Sequence, residues 1–158
     1  MKLIPLTQNK FTSVDDSDFD WLNQWKWHYM KGYATRRKYL SRFKGDKEFE
    51  DIYMHRLINE TPIGIETDHK DFNKLNNQKD NLRIASRSQN MMNTNKHQDN
   101  TSGYKGVYWH KQRQKWWAKI CINYKNISLG LYKTIQEAIV ARNLAEERYF
   151  KEFRRIEL

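Results

Sequence analysis

The alternation of apolar and polar positions in the first half of the chain predicts several short strands and one helix. Strands are predicted over residues 2–6, 10–14, 32–39 and 52–58. Acids clustered in 15–20 precede a Trp-rich segment, which predicts a helix over about 17–25 with the acids capping its start. A charged hairpin tip is predicted over 42–51.

The central segment, residues 67–90, predicts a strand, a polar loop, a second strand and a helix. Asp68 and His69 lie at the end of the first strand. The loop over 70–80 is dense in Asp, Asn and Lys, which suit tight turns. The chain then returns as a second strand, and a serine after it can cap a helix that carries Asn90.

From residue 104 the pattern changes to three short strands joined by polar turns, which predicts a small antiparallel sheet. These strands are predicted over 104–110, 115–123 and 126–132. Alternation divides the middle strand into two faces. One face carries Trp116, Ala118 and Ile120, and the other carries Trp117, Lys119 and Cys121.

The C-terminal helix begins with a capping box, formed by Thr134 and Glu137, and is predicted to run to about residue 150. A stripe of mostly small residues would let it pack closely on the face that carries Trp116. The stripe consists of Ala138, Ala141, Ala145 and Tyr149.

Polar, Asn-rich residues before the sheet indicate a linker. We therefore predict an α+β chain of two domains, residues 1–97 with a core motif over 52–95, and residues 98–158.

Composition favours two small cores over one large core. Of the 158 residues, 38% are hydrophobic and 14% are aromatic, and aromatic rings bury large areas. A single cysteine, Cys121, excludes an internal disulfide and any multi-cysteine zinc site. No apolar run is long enough for a signal peptide or a membrane span, so we expect a soluble protein without a membrane partner.

The charge of the chain points to a polyanionic partner. The net charge is +10, from 29 Lys and Arg against 19 Asp and Glu. Residues 1–99 contribute +3 and residues 100–158 contribute +7, and residues 100–133 contain seven basic side chains without an acid. Nucleic acid is the commonest polyanion, and the plainer alternative is a merely basic protein.

The Asp-His pair in these basic surroundings suits phosphodiester hydrolysis. That reaction needs a base that removes a proton from water and a cation that stabilises the negative charge on the phosphorane and on the leaving oxygen. An imidazole with an ordinary pKa near ~6.5 can supply the base. Against this, a lone histidine is more often structural, Asn-rich loops are usually turns, and a calcium loop lacks its central Gly and closing Glu. Asn73, Asn76 and Asn77 are accordingly interpreted as turn residues. His55 stays open between an accessory and a structural role.

The motif DHKDFNKLNNQKDNLR, preceded by MHRLI, resembles the HNH endonucleases of phages and intron homing enzymes over about residues 50–95. This resemblance implies a ββα-metal fold. The implied roles are general base for His69, metal ligand for Asp68 and Asn90, and loop-bracing catalytic residue for Asn81, with His55 and Arg56 as accessory candidates. So sparse a set of oxygen ligands suits one Mg²⁺ or Mn²⁺.

The C-terminal segments TSGYKGVYWH, KWWAKI, LGLY and QEAIVARNLAEERYF resemble an Apetala-type (ethylene-response-factor) DNA-binding domain over about residues 100–150. The resemblance implies a three-stranded sheet, packed on one helix, that contacts the major groove. The implied DNA contacts are Lys105, Tyr108, Trp117, Lys119, Cys121, Lys125, Asn126 and Ser128. Basic and aromatic side chains on one face would suit a DNA surface in any case. The alternative is a solvated basic sheet.

Together with these resemblances, which imply a site-specific enzyme of the homing type, the patterns predict a metal-dependent DNA endonuclease. Its expected partner is double-stranded DNA, and we expect a monomer without an obligate protein partner, in the cytoplasm of the cell that makes it (the host cytosol if phage-encoded). One alternative is a non-catalytic sequence-specific DNA-binding regulator with a relic nuclease fold. Another is a nuclease directed at RNA.

Overall fold

The structure, a computed structural model, describes residues 1–40, 49–94, 96 and 98–154. The chain is a mixed α+β protein of small antiparallel sheets and helices, as the sequence predicts. It divides into two compact units, Met1–Ser86 and Arg87–Leu158. This division lies before the predicted domain boundary, which is between residues 97 and 98. Most of the predicted hairpin tip over 42–51 lies outside the described residues.

The first unit is built from hairpins and short helices. Its elements are β1 (Lys2–Pro5), β2 (Phe11–Val14), α1 (Asp16–Asn23), β3 (His28–Met30), β4 (Tyr33–Tyr39), β5 (Phe49–Tyr53), α2 (Met54–Ile58), β6 (Glu66–His69) and β7 (Leu82–Ala85). Strands β1 and β2 pair, β4 pairs with both β3 and β5, and β6 pairs with β7, all antiparallel. A short 3₁₀ helix, Lys79–Asn81, leads into β7.

One apolar core holds these elements together. Its fully buried side chains include Ile4, Val14, Leu22, Trp27 and Met54, which come from five different parts of the unit. The indole of Trp27 also donates a hydrogen bond from Nε1 to the carbonyl of Leu22 (2.9 Å), so its polar atom is satisfied inside the core. Aromatic side chains such as Trp27 each remove a large apolar area from water, so this small unit can fold around few core residues.

Two expectations for this unit are wrong. The strand predicted over 52–58 ends at Tyr53, and the remainder forms α2. Met54, His55 and Ile58 are buried, and burial at two adjacent positions and again one turn later is helical spacing. Short apolar runs do not distinguish a strand from a helix. The second error concerns α1, since Asp15 at its start makes no side-chain cap hydrogen bond.

The second unit is a three-stranded sheet on one long helix. Its elements are α3 (Arg87–Met92), β8 (Val107–His110), β9 (Lys115–Ile122), β10 (Lys125–Tyr132) and α4 (Ile135–Phe150), followed by a 3₁₀ helix, Lys151–Phe153. The strand order is β10-β9-β8, antiparallel throughout. Thr134 accepts from the amide of Glu137, and the Glu137 carboxylate accepts from the amide of Thr134, so the predicted capping box is confirmed.

The helix α4 covers one face of that sheet. Val107, Ala118 and Ala138 are completely buried between them, with Trp116 partly buried at the edge of this core. The stripe prediction is wrong at its end, because Tyr149 is exposed and Phe150 is buried instead. None of the helices in the described part of the chain is long and apolar enough to span a membrane.

Gly106 is required where β8 meets this helix. Its φ of +79° is in the left-handed region, and a Cβ there would lie 2.6 Å from the carbonyl oxygen of Lys119 and 2.9 Å from Nε of Arg142. Both neighbours are fixed, because the amide of Lys119 donates to the carbonyl of Gly106 and Nη1 of Arg142 donates to the carbonyl of Lys119.

Gly106→Ala is therefore expected to destabilise the protein by about 3 kcal/mol, the sum of left-handed strain and overpacking. Gly103→Ala is the matched control, since Gly103 has the same φ of +79° and open space around it. The control should cost only the backbone strain, about 1 kcal/mol. Denaturant unfolding measures both, and equal losses would contradict the close approach at Gly106.

Candidate active site and nucleic-acid interface

The loop between β6 and β7 is built from its own polar side chains. A carboxylate oxygen of Asp71 accepts from the amide of Asn73 (2.9 Å), and the side-chain oxygen of Asn73 accepts from the amide of Leu75 (3.1 Å). These local bonds replace backbone pairing in a segment too polar to form a strand. They match the interpretation of Asn73 as a turn residue.

Asn81 braces this loop. Its Nδ2 donates to Oδ1 of Asp71 (2.9 Å) and to the carbonyl of Asn76 (2.8 Å), while its Oδ1 accepts from the amide of Asp71 (3.0 Å). The side-chain amide is thus committed to both ends of the turn. The structure places Asn81 in the loop-bracing position that the sequence suggests, as a positioning residue for the segment that follows His69.

His69 is buried at the end of β6 and is held by Asn77. Nε2 of His69 lies 3.1 Å from Oδ1 of Asn77. The amide nitrogen of Asn77 donates to Oγ1 of Thr12 (2.7 Å), which identifies Oδ1 as the acceptor toward the imidazole. By this network, Nε2 of His69 carries the proton in the neutral ring and Nδ1 carries the lone pair. Asn77 is completely buried, so it is more than the turn residue that the sequence predicts.

A cluster of rings surrounds this imidazole. The rings of His55 and His69 have their centroids 5.1 Å apart, and Tyr33 lies 5.0 Å from His55 and 6.2 Å from His69. Tyr53 lies 5.6 Å from His55. The structure therefore brings His55, an accessory candidate, to the candidate base. Its Nδ1 is buried and has no hydrogen-bond partner among the described residues.

Both histidines are shifted toward the neutral form. Burial lowers the pKa of His55 to about 3, and the neighbouring charges of His69, Arg56 and Lys74 act in the same direction. Burial also lowers the pKa of His69, and Lys74 adds to that effect. The hydrogen bond to Asn77 and the carboxylates of Asp71 and Asp68 oppose it. At neutral pH both rings are therefore unprotonated.

Lys74 supplies positive charge beside these rings. Its Nζ lies 4.4 Å from the centroid of the Tyr33 ring, a cation–π contact. Gly32 lies under its aliphatic stem, where a Cβ would come within 3.2 Å of Cδ. Lys74 is exposed, and within the described ranges it makes no ion pair. A solvent-facing ammonium beside a neutral imidazole can bind a phosphate oxygen.

Asp68, the predicted metal ligand, is buried in an ion pair. Arg83, its partner across the β6–β7 pair, donates to Oδ2 from Nη2 (2.6 Å) and from Nε (2.8 Å). Within the described residues, no group of three or more His, Cys, Asp or Glu side chains is arranged to hold a metal ion. The donor set does not fit structural zinc. A hard cation such as Mg²⁺, which can bind through one carboxylate and keep waters or phosphate oxygens, would have to share Asp68 with Arg83.

The two remaining candidates near the motif, Arg56 and Asn90, belong to α2 and α3. Arg56 donates from its guanidinium to the carbonyls of Ile65 (2.8 Å) and Pro62 (3.0 Å), so it fastens the turn before β6. Asn90, the second predicted ligand, lies on α3 in the second unit. Arg56 therefore makes a bracing contact in the first unit, whereas Asn90 belongs to the second unit.

The uncovered face of the C-terminal sheet brings several predicted DNA contacts together. Nζ of Lys119 lies 4.6 Å from the ring centroid of Tyr108 and 5.2 Å from that of Trp117. Nε1 of Trp117 donates to Oγ of Ser128 (2.8 Å). Strand pairing places Ser128 opposite Lys119 and Asn126 opposite Cys121. Lys125 is exposed at the start of β10.

Lys105 has a different environment from the rest of the predicted set. Its ammonium donates to the carbonyls of Met91 (3.2 Å), Met92 (3.0 Å) and Thr94 (2.9 Å) at the end of α3. These contacts hold α3 to the chain before β8. Lys105 therefore has a structural use of its own in this fold.

Sequence reasoning missed several residues of the first unit. Tyr33, Tyr53, Lys74 and Asn77 all contact the candidate histidines or each other, yet they belong to separate segments. The local signals were only that Lys74 and Asn77 fall in the polar loop. Nothing in the spacing of Tyr33 and Tyr53 marks them, because hairpin pairing brings them together.

Protonation of the buried His55 is expected to make the protein acid-labile. Since the pKa of His55 is about 3 in the folded protein and near 6.5 when unfolded, the unfolded chain binds more protons between these values. The free energy of unfolding should fall as pH drops from about 6.5 toward 3, by at most about 1.4 kcal/mol per pH unit from this group. His55→Phe should flatten that slope in denaturant titrations, and His28→Phe, at an exposed site, is the control. An unchanged slope in His55→Phe would contradict its burial as a neutral ring.

Comparison with known proteins gives a similarity to part of one phage protein. "Protein 3.8" of Escherichia phage T7 is 46% identical over 55 residues, which are 35% of this chain and 46% of the phage protein. The match therefore spans a little under half of that relative's length. No family model matches the chain. No solved structure matches it either.

These comparisons correct the family expectation. Assignment of the chain to the HNH homing endonucleases with an Apetala-type domain is wrong, because neither family's model matches any part of it and the similarity found is to a phage protein whose name gives no function. The motif letters that suggested both families are short, and short polar and aromatic patterns recur in unrelated folds. Any function has to be argued from the site itself.

Proposed function

We propose that this chain is a metal-dependent DNA endonuclease in which His69 activates water for phosphodiester hydrolysis. The observation that carries the proposal is the neutral, hydrogen-bonded imidazole of His69 with the exposed ammonium of Lys74 nearby, in a chain of net charge +10. A base and a cation beside each other are what this reaction requires. The strand–loop–strand from β6 to β7 is the proposed catalytic element.

His69 would act through Nδ1. Water loses a proton to this nitrogen as its oxygen attacks phosphorus, and the bond from phosphorus to the leaving oxygen breaks. The imidazolium that forms keeps its Nε2–H bond to Asn77, which stabilises the positive charge. The leaving oxygen is then protonated from solvent. Asn77 is in this scheme a positioning residue that fixes the tautomer.

Lys74 would bind the phosphate that is cleaved. Its ammonium is held by the Tyr33 ring, and its charge reaches His55 and His69 strongly enough to lower the pKa of each. A fixed positive charge there favours the doubly charged phosphorane over the singly charged diester. Positioning of this kind needs no movement of the loop.

A divalent cation would be held at Asp68. When bound, it would stabilise charge on the phosphate oxygens and on the leaving oxygen. Mg²⁺ and Mn²⁺ suit this role because they accept one carboxylate together with waters and phosphate oxygens. Arg83 contacts the same carboxylate and holds it in place.

The second unit is the proposed DNA-binding part. Lys119, Tyr108 and Trp117 form a basic, aromatic surface on the sheet face opposite α4. Such a face can neutralise phosphates and contact bases of double-stranded DNA. The similarity to a phage protein supports action in the cytosol of an infected host cell.

The second candidate is a DNA-binding regulator without catalysis. It is favoured by the ion pair of Asp68 with Arg83, which commits the predicted metal ligand to a structural contact. A regulator of this kind would bind duplex DNA with the same salt dependence and would leave it uncut in every divalent cation.

His69→Ala is expected to slow the nicking of supercoiled plasmid in Mg²⁺ or Mn²⁺ by about 10²–10⁴-fold, the usual contribution of a positioned base. EDTA should stop wild-type nicking, because the cation is lost. His28→Ala, a histidine exposed on β3, is the matched control and should cut normally. Full activity in His69→Ala would refute the assignment, and binding without cleavage by the wild type would favour the regulator. A parallel assay on RNA tests the remaining alternative.

The double variant Lys119→Gln/Lys125→Gln is expected to reduce the salt dependence of duplex binding. Each lost phosphate contact lowers the slope of log K against log salt by about 0.9, so the slope should fall by roughly 2. Lys10→Gln/Lys31→Gln removes the same charge from exposed sites in the first unit and is the control. Equal slopes for the two variants, measured by fluorescence anisotropy, would argue that the sheet is not the DNA surface.

A further inference from the structure

The second unit contains a pocket of about 170 Å³ at one end of its sheet. Val107 opens β8 and pairs with Ala118, so β9 continues past β8 and its last residues pair with β10. α3 lies beside this extension. The amide of Asn123, in the β9–β10 turn, donates to Oγ of Ser88 on α3 (3.2 Å).

The walls of this pocket combine apolar, aromatic and polar groups. Met91 and Tyr124 stand at its rim with 48% and 63% of their surface exposed, and Tyr108 is 39% exposed. Lys119 and Asn126 line it from the sheet. Clustered exposed apolar side chains mark binding sites, and methionine adapts its shape to a ligand. A flat ring with a polar edge and a nearby negative charge would satisfy every one of these groups.

The volume of the pocket is sufficient for a single ring. A cavity of ~150 Å³ in another protein binds benzene, so about 170 Å³ accommodates one six-membered ring with small substituents. The side-chain amide of Asn126 can pair with the donor and acceptor edge of such a ring. Lys119 can contact a phosphate outside the pocket. The chemical class is therefore a pyrimidine nucleotide.

The backbone at Tyr124 gives an independent reason to connect this residue with a ligand. Asn123 and Tyr124 form the two-residue turn between β9 and β10, with φ of +47° and +64°. Both central positions of such a turn are left-handed. Asn suits the first, but Gly is strongly preferred at the second, where a bulky residue is strained. A strained conformation retained at a pocket rim is typical of functional positions.

We propose that this pocket binds one pyrimidine base of a nucleotide, stacked on the ring of Tyr124. The base is either part of a DNA strand, unstacked from its neighbours but still attached to the backbone, or part of a free nucleotide. This goes beyond the proposed hydrolysis, because it requires nucleic acid as a partner but not His69 as a base. Tyr124 would then sacrifice stability of the turn for a stacking surface.

The test compares Tyr124→Gly with the wild type in two measurements made in EDTA, where cleavage does not interfere. Fluorescence anisotropy measures affinity for a short oligothymidylate and for an abasic strand of the same length. The wild type should prefer the strand with bases by about ten-fold, the effect of stacking one base. Tyr124→Gly should lose this preference and unfold at a higher denaturant concentration, because glycine relieves the turn. Tyr124→Phe keeps the ring and should keep the preference.

Gln114→Gly is the matched control, since Gln114 also has a positive φ (+47°) in the β8–β9 turn and does not line the pocket. It should gain stability and keep the preference for bases. Excess thymidine monophosphate that displaces the oligomer identifies a free nucleotide as the ligand, whereas no displacement identifies a base within a strand. A wild type indifferent to bases, or a Tyr124→Gly variant that keeps the preference or gains no stability, overturns the proposal. None of these readouts depends on His69, so they fail separately from the proposed hydrolysis.

Discussion

The buried side chain of Asn77 connects the candidate base to its scaffold. Its amide nitrogen donates to Oγ1 of Thr12 (2.7 Å) and approaches Sδ of Met54 (3.7 Å), while its oxygen lies 3.1 Å from Nε2 of His69. The group is completely buried, so each unmade bond would cost about 1–3 kcal/mol. One amide therefore fixes the first hairpin, α2, the polar loop and the imidazole together. The proposed tautomer of His69 depends on this single contact.

The N-terminal hairpin holds the loop along its length. The amide of Ser13 donates to the carbonyl of Leu75 (2.8 Å), and Asn77 donates back to the carbonyl of Ser13 (2.8 Å), so part of the loop pairs with β2. Further along, the carboxylate of Asp15 accepts from the amide of Lys79 (2.8 Å). Asp15, the acid before α1, thus contacts the loop and makes no side-chain cap of the helix. A polar segment with few apolar residues becomes ordered because backbone bonds to a stable hairpin offset its conformational entropy.

Sequence predicts those parts of this fold that are encoded within a few neighbouring residues. The capping box of Thr134 and Glu137 and the three strands of the second unit are of this kind. The position of Asn77 could not be predicted, because it depends on Thr12, 65 residues away in sequence. The segment over 54–58 was misjudged for a similar reason, since its core contacts select a helix where the local pattern allows either structure. Within the site, the Asp-His pair can be recognised in the sequence. The ring cluster and the contact of Lys74 with Tyr33 form only when distant segments come together in the fold.

Burial of His69 adds little to the fraction of its imidazole that is neutral, and so able to act as a base, at pH 7. At pH 7 an imidazole with an ordinary pKa near 6.5 is already about three-quarters neutral, so a lower pKa gains at most roughly a quarter more of that form. Each unit by which the pKa falls weakens proton affinity tenfold. On balance burial and Lys74 therefore weaken the base, and the groups that raise the pKa again, Asn77 first and then the nearby carboxylates, preserve its strength. The gain from burial must then come from the fixed orientation of the imidazole, while the exposed Lys74 places a positive charge close to the phosphate.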